Sequence, residues 1–195
     1  MFGDVFTRRK ALGLLVTVPP LLACGPLFAR YANAEETDDD AALKSRFEFL
    51  SQNGNVGCSA KFEASIASMP PDAKLQGSCC APMDEARYLQ QIKGIRKYAD
   101  IPEIPSDPYD IPASMAQKLM PYYNLSLNRT EQAAYDYAMA HSDMQGPCCC
   151  QCWRWRMYGG LGKSLIREHQ FSGQQLVDLW NIASGCGGPI STKMH

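Results

Sequence analysis

Hydrophobic and polar positions along the chain fall mainly into the rhythm of amphipathic helices. Leu43, Phe47 and Leu50 recur at i, i+4 and i+7, which predicts a helix closed by Asn53-Gly54. Ser59 is placed to cap a second, short helix with Phe62, Ile66 and Met69 on one face, and Pro70-Pro71 ends it. Pro82 stands at a first helical position, and from there Tyr88 or Leu89, Ile92 and Ile95 carry a third helix to about Tyr98. Pro102, Pro105, Pro108 and Pro112 forbid a helix over 101–112, so an extended strap is expected there, with Pro112 opening the next helix to about Tyr122.

The clearest helix start is Asn128, followed three residues later by Glu131, a capping-box pattern. It predicts a helix from Arg129 to about Asp143, with Ala133, Tyr137 and Ala140 or His141 on one stripe. Leu161, Leu165 and Ile166 mark a further helix, and Ser172 is placed to cap the last one, with Leu176, Val177 and Trp180 inward. No run alternates with period two for long enough to claim a sheet. The expected fold class is therefore all-α: a single compact multi-helix domain with cysteine-rich loops, over residues 35–195.

Residues 1–34 break this rhythm and read as an export signal. Thr7-Arg8-Arg9-Lys10-Ala11-Leu12 has the twin-arginine pattern, and the apolar stretch that follows is short and interrupted by Pro19-Pro20, unsuited to a spanning helix. Two processing routes stay open. Ala32-Asn33-Ala34 fits signal-peptidase cleavage, whereas Leu21-Leu22-Ala23-Cys24 fits lipidation of Cys24. The expected location is the periplasm or extracellular face, with membrane attachment only through the signal or a lipid anchor. Glu35 to Asp40 reads as an acidic, exposed leader.

Charge narrows the choice of partners. The formal net charge is -1 for the whole chain and falls to about -4 once the basic signal is removed, so a nucleic-acid or anionic-surface partner is not expected. The nine cysteines change the picture more, since they are too many and too clustered for ordinary core use. Eight lie in the mature region: Cys58, Cys79, Cys80, Cys148, Cys149, Cys150, Cys152 and Cys186.

If Pro147 occupies the first turn of a helix running to Tyr158, Cys148 and Cys152 share a face at i and i+4, with Cys149 beside Cys152. The helix N-terminus would then favour thiolate. If the segment is extended, Cys148, Cys150 and Cys152 face one way and Cys149 the other. Either backbone brings sulfurs together and suits a soft metal. Cys148, Cys150 and Cys152 are the primary candidate ligands. Cys149 and Cys186 are secondary, Cys186 because its glycine-rich loop can fold back, and the pair Cys79-Cys80, with His141 and Met144, completes the candidate set. Thiolate softness puts a copper ion ahead of a zinc ion. The expected role is metal handling in the cell envelope, without catalysis and with an envelope protein partner as an option.

Two other readings of the same sulfurs stand beside it. Four disulfides can pair the cysteine run outward with Cys58, Cys79, Cys80 and Cys186, giving a stapled interaction module. A low-pKa thiolate can serve a thiol-disulfide oxidoreductase. The stretch Gly159-Gly160-Leu161-Gly162-Lys163-Ser164 superficially suggests a phosphate loop, but it lacks the required first glycine and a preceding strand. Trp153-Arg154-Trp155-Arg156 reads as core aromatics with solvated arginines.

Pro147-Cys148-Cys149-Cys150-Gln151-Cys152 resembles the signature of the PCYCGC-motif family of exported bacterial proteins, many of them lipoproteins. The preceding helix, Ala134 to His141, is similar to the helix that leads into that signature. Pro147, Cys148, Cys150 and Cys152 match, whereas Cys149 and Gln151 replace its tyrosine and glycine, and the family's downstream cluster of His and paired Cys is missing apart from Cys186. The resemblance implies an exported thiol site and leaves reaction and metal open.

Overall fold

The computed structural model of the protein describes residues 25–188. The expected export signal, with Cys24 and the twin arginines, lies outside those residues apart from its last ten positions. The chain divides into two units, Met1–Thr37 and Asp38–His195, and the second holds the folded body considered below. Among the described residues there are seven α-helices: α1 Gly25–Gln52, α2 Ala60–Ile66, α3 Glu85–Ile95, α4 Ala113–Leu119, α5 Arg129–His141, α6 Trp153–His169 and α7 Gly173–Ala183. None of them is long and apolar enough to cross a membrane.

The body is mostly helical, but it is not all-α. Two short strands, β1 Lys74–Gln76 and β2 Asp110–Pro112, pair antiparallel with Leu75 opposite Ile111. Three residues per strand are too few for an alternating pattern to stand out, and β2 is the end of the proline strap. Both central side chains, Leu75 and Ile111, are buried, so the ribbon adds to the core as well as closing the strap.

Local signals set most helix ends. Ser59 accepts from the Phe62 amide at the start of α2, and Asn128 with Glu131 and Ser172 with Gln175 form complete capping boxes on α5 and α7. Three starts differ from expectation. Helix α3 begins after Asp84, whose carboxylate caps the Arg87 amide, not at Pro82. Residues 35–40, expected as an exposed linker, lie within helix α1; Asp40 pairs with Lys93 of α3 at 2.8 Å and Asp39 with Arg96, just beyond its end, at 2.8 Å. Helix α6 begins at Trp153, six residues after Pro147.

The main core lies between α4, α5, α6 and α7, where Trp153, Met157, Leu161, Leu165, Leu176 and Trp180 are all buried. Trp180 stands edge-on to Tyr135, ring centroids 5.5 Å apart. The glycines of α6 explain the false phosphate-loop pattern. A Cβ on Gly160 would sit 2.1 Å from the Leu119 carbonyl oxygen, so only glycine lets α6 approach the segment after α4 this closely. Lys163 donates to the carbonyls of Tyr123 and Leu125 at 2.7 and 2.9 Å, which makes it an internal brace.

Candidate metal centre

Four separate segments deliver the eight cysteines to one place at an edge of this core. Cys58 immediately precedes the cap of α2, and Cys79-Cys80 lie in the loop between β1 and α3. Cys148, Cys149, Cys150 and Cys152 fill the connection between α5 and α6, and Cys186 follows α7. The connection from α5 is shaped by its own turn. Gln145 and Gly146 both take positive φ, the Ser142 hydroxyl accepts from the Gly146 amide at 2.7 Å, and the Trp155 ring packs where a Gly146 side chain would be. The cysteine run is neither helical nor extended but coiled in successive bends, with Cys152 as N-cap of α6.

The Cys186 loop folds back on the Cys79-Cys80 loop. Ala81 donates its amide to the Cys186 carbonyl at 2.9 Å, and Gly188 donates to Pro82 at 2.8 Å. Gly187 has φ +75°, and a Cβ there would lie 2.0 Å from the Ala81 carbonyl oxygen, so the approach depends on glycine. Arg87, Gln91 and Arg154 anchor the surrounding backbone. Arg87 donates to the Gly187 carbonyl and the Ser184 hydroxyl at 3.1 and 3.2 Å, and Gln91 donates to the Ser184 carbonyl at 2.8 Å.

The sulfurs form one continuous cluster. Cys80 Sγ lies 3.3 Å from Cys149, 3.4 Å from Cys58, 3.4 Å from Cys150 and 3.7 Å from Cys79. Cys150 is also 3.6 Å from Cys58, and Cys148 is 2.6 Å from Cys186. All eight thiols are free, and no disulfide closes any of these gaps. An ion held at about 2.3 Å keeps its thiolates roughly 3.8 to 4.0 Å apart, so small side-chain rotations convert these contacts to ligation. Four sets of three sulfurs lie mutually within 4.8 Å: Cys58, Cys79 and Cys152; Cys58, Cys80 and Cys150; Cys80, Cys149 and Cys186; Cys148, Cys149 and Cys150. These groupings can hold a metal ion.

Burial grades across the cluster. Cys148, Cys152 and Cys186 are at most 3% exposed and form a floor, while Cys58, Cys80 and Cys149 are exposed and form a rim. Cys152 is held well below the usual thiol range, first by hydrogen bonds from the Cys148 and Cys79 thiols and then by the Arg154 amide at the start of α6. Cys186 is lowered in the same way by Cys148 and Cys79, with the Cys149 amide adding to it. Cys148 and Cys79, the donors in those bonds, are pushed up by them and by burial. Burial also raises Cys150, to about 12.

Arg154 completes the electrostatics. Its side chain is fully buried, donates to the carbonyls of Pro108 and Gly77, and leaves Nε without a hydrogen-bond partner. It has no carboxylate partner among the described residues, and its charge favours thiolate at Cys79. Trp153, beside it, is wholly buried, whereas Arg156 pairs with Glu63 at 2.6 Å. Only Arg156 therefore fits the reading of solvated arginines.

The expected ligand set changes at three positions. Cys58 joins the cluster, although its sequence surroundings mark it only as a disulfide partner. His141 belongs to none of the sulfur groups; it is exposed, stacked on Tyr137 with centroids 4.0 Å apart, and its Nδ1 lies 2.8 Å from the Tyr137 carbonyl. It is the last residue of α5. Met144 lines a different cavity with Arg87, Asp143 and Asn181. The remaining seven candidates, Cys79, Cys80, Cys148, Cys149, Cys150, Cys152 and Cys186, all lie in the cluster. No family model matches the chain, and comparison with curated proteins and with solved structures gave no match.

Proposed function

We propose that this is an exported metal-binding protein that takes up copper as Cu(I) through its clustered thiolates and serves metal handling in the cell envelope. One observation carries the reading: a single sulfur, Cys80, contacts four other sulfurs contributed by three different segments of the chain. Core packing gives no reason for eight thiols to converge in this way, and thiolates are the ligands that select soft ions. Sets of three sulfurs suit Cu(I), whereas a structural zinc site takes four ligands in a tetrahedron. The twin-arginine pattern supports export, and it supports loading before export if the passenger crosses folded. The resemblance to the PCYCGC-motif proteins points the same way.

The stapled alternative is favoured at one point. Cys148 and Cys186 lie closest together, at 2.6 Å, and are the pair that oxidation would join first.

The test is competition for Cu(I) between the anaerobic, reduced protein and a chromophoric chelator. Wild type is expected to withdraw copper from the chelator, and the double variant Cys150→Ser, Cys152→Ser to lose most of that capacity. A reduced, folded wild type that withdraws none would contradict the proposal.

A further inference from the structure

We infer that the cluster holds several Cu(I) ions joined by shared thiolates, with Cys80 as the central bridge, and not a single ion at one site. This rests on the copper reading above and adds its nuclearity. One ion is satisfied by at most four thiolates, yet all eight sulfurs belong to one connected set. The four sets of three overlap: Cys58, Cys80, Cys149 and Cys150 each belong to two of them, while Cys79, Cys148, Cys152 and Cys186 each belong to one. A thiolate sulfur keeps lone pairs after binding one ion, so a sulfur common to two sets can bridge two ions. Four sets give a ceiling of four ions.

The two kinds of sulfur occupy different depths. Three of the four shared sulfurs, Cys58, Cys80 and Cys149, lie on the exposed rim, and the fourth, Cys150, is half-buried. Three of the four unshared ones form the buried floor. Incoming ions therefore meet bridging ligands first and anchoring ligands below them. Charge balance points the same way, since eight thiolates around four univalent ions leave an anionic assembly. Arg154, buried with its charge acting on Cys79, with no carboxylate partner among the described residues and an unbonded Nε, supplies a fixed counter-charge. Each thiol gives up its one proton to solvent on forming its first copper-sulfur bond, a bridging sulfur makes its second bond with a remaining lone pair, and no electron moves because the copper arrives as Cu(I).

Titration of the reduced full-length chain with Cu(I), read by bound copper per chain and by copper X-ray absorption, tests this directly. Wild type is expected to saturate at about two to four ions with copper-copper scattering. Cys80→Ser should lose at least half of that capacity, and Cys149→Ser serves as the second bridging variant if the first does not fold. Cys152→Ser, which removes an unshared sulfur, should lose no more than about one ion. Saturation at one ion without copper-copper scattering would overturn the shared-thiolate cluster while leaving copper binding intact. Binding of no copper would overturn both. Equal losses in Cys80→Ser and Cys152→Ser would remove Cys80 from the central position.

Discussion

Around α5, α6 and α7 the chain is held by apolar contact between capped, regular helices, whereas the segments that carry sulfur have almost no regular structure and hang from buried polar side chains. In the first region Trp180, Leu176, Leu161 and Met157 exclude water by packing. In the second, Cys148, Cys152 and Cys186 still reach the core, but Arg154, Arg87 and Gln91 bind the carbonyls of Gly77, Pro108, Gly187 and Ser184 and so fix the backbone directions. The difference matters for function. A packed helical body can hold the ends of the loops in place, while the loops, hung on hydrogen bonds, bring eight sulfurs together.

Two substitutions separate the regions. Trp180→Ala should cost about 3–5 kcal/mol of stability, because it removes a buried ring and its hydrogen bond to the Tyr158 carbonyl. Copper capacity per folded chain should be unchanged, and chemical denaturation alongside copper titration checks both; a loss of capacity in the folded fraction would show that the regions are not separable. Arg154→Met should have the smaller effect on stability, about 2–4 kcal/mol, from stranding the carbonyls of Gly77 and Pro108. It should weaken Cu(I) affinity as well, since the cluster loses its buried counter-charge. Unchanged affinity in the chelator competition would mean that Arg154 supports the backbone alone.

The same division explains what the sequence made legible. Helix ends governed by local chemistry are readable: Ser59, Asn128 with Glu131, and Ser172 with Gln175 cap where their spacing says they should. The start of α6 is not, because Pro147 looks like a first-turn residue, yet residues 147–151 run in bends and Cys152 is the N-cap of a helix that starts at Trp153. The two-stranded ribbon is too short to leave a periodic trace. At the site, the contiguous cysteines announce themselves, but Cys58 enters through a tertiary contact across the chain, and nothing local distinguishes it. His141 is misleading for the opposite reason, being near the cluster in sequence while its ring is engaged with Tyr137 and joins none of the sulfur groups. Arg154 looks like its neighbour Arg156 in the sequence, and only burial separates the two.

The proposal that the cluster is a set of shared ligands is tested most directly by counting thiols in the protein as its own cell makes it. Protein taken from its own compartment, stripped of metal without reductant, alkylated and weighed intact, should show all eight sulfurs from Cys58 to Cys186 modified. A mass lower by eight hydrogens with no alkylation, meaning that every sulfur is joined to another in a disulfide, would contradict it.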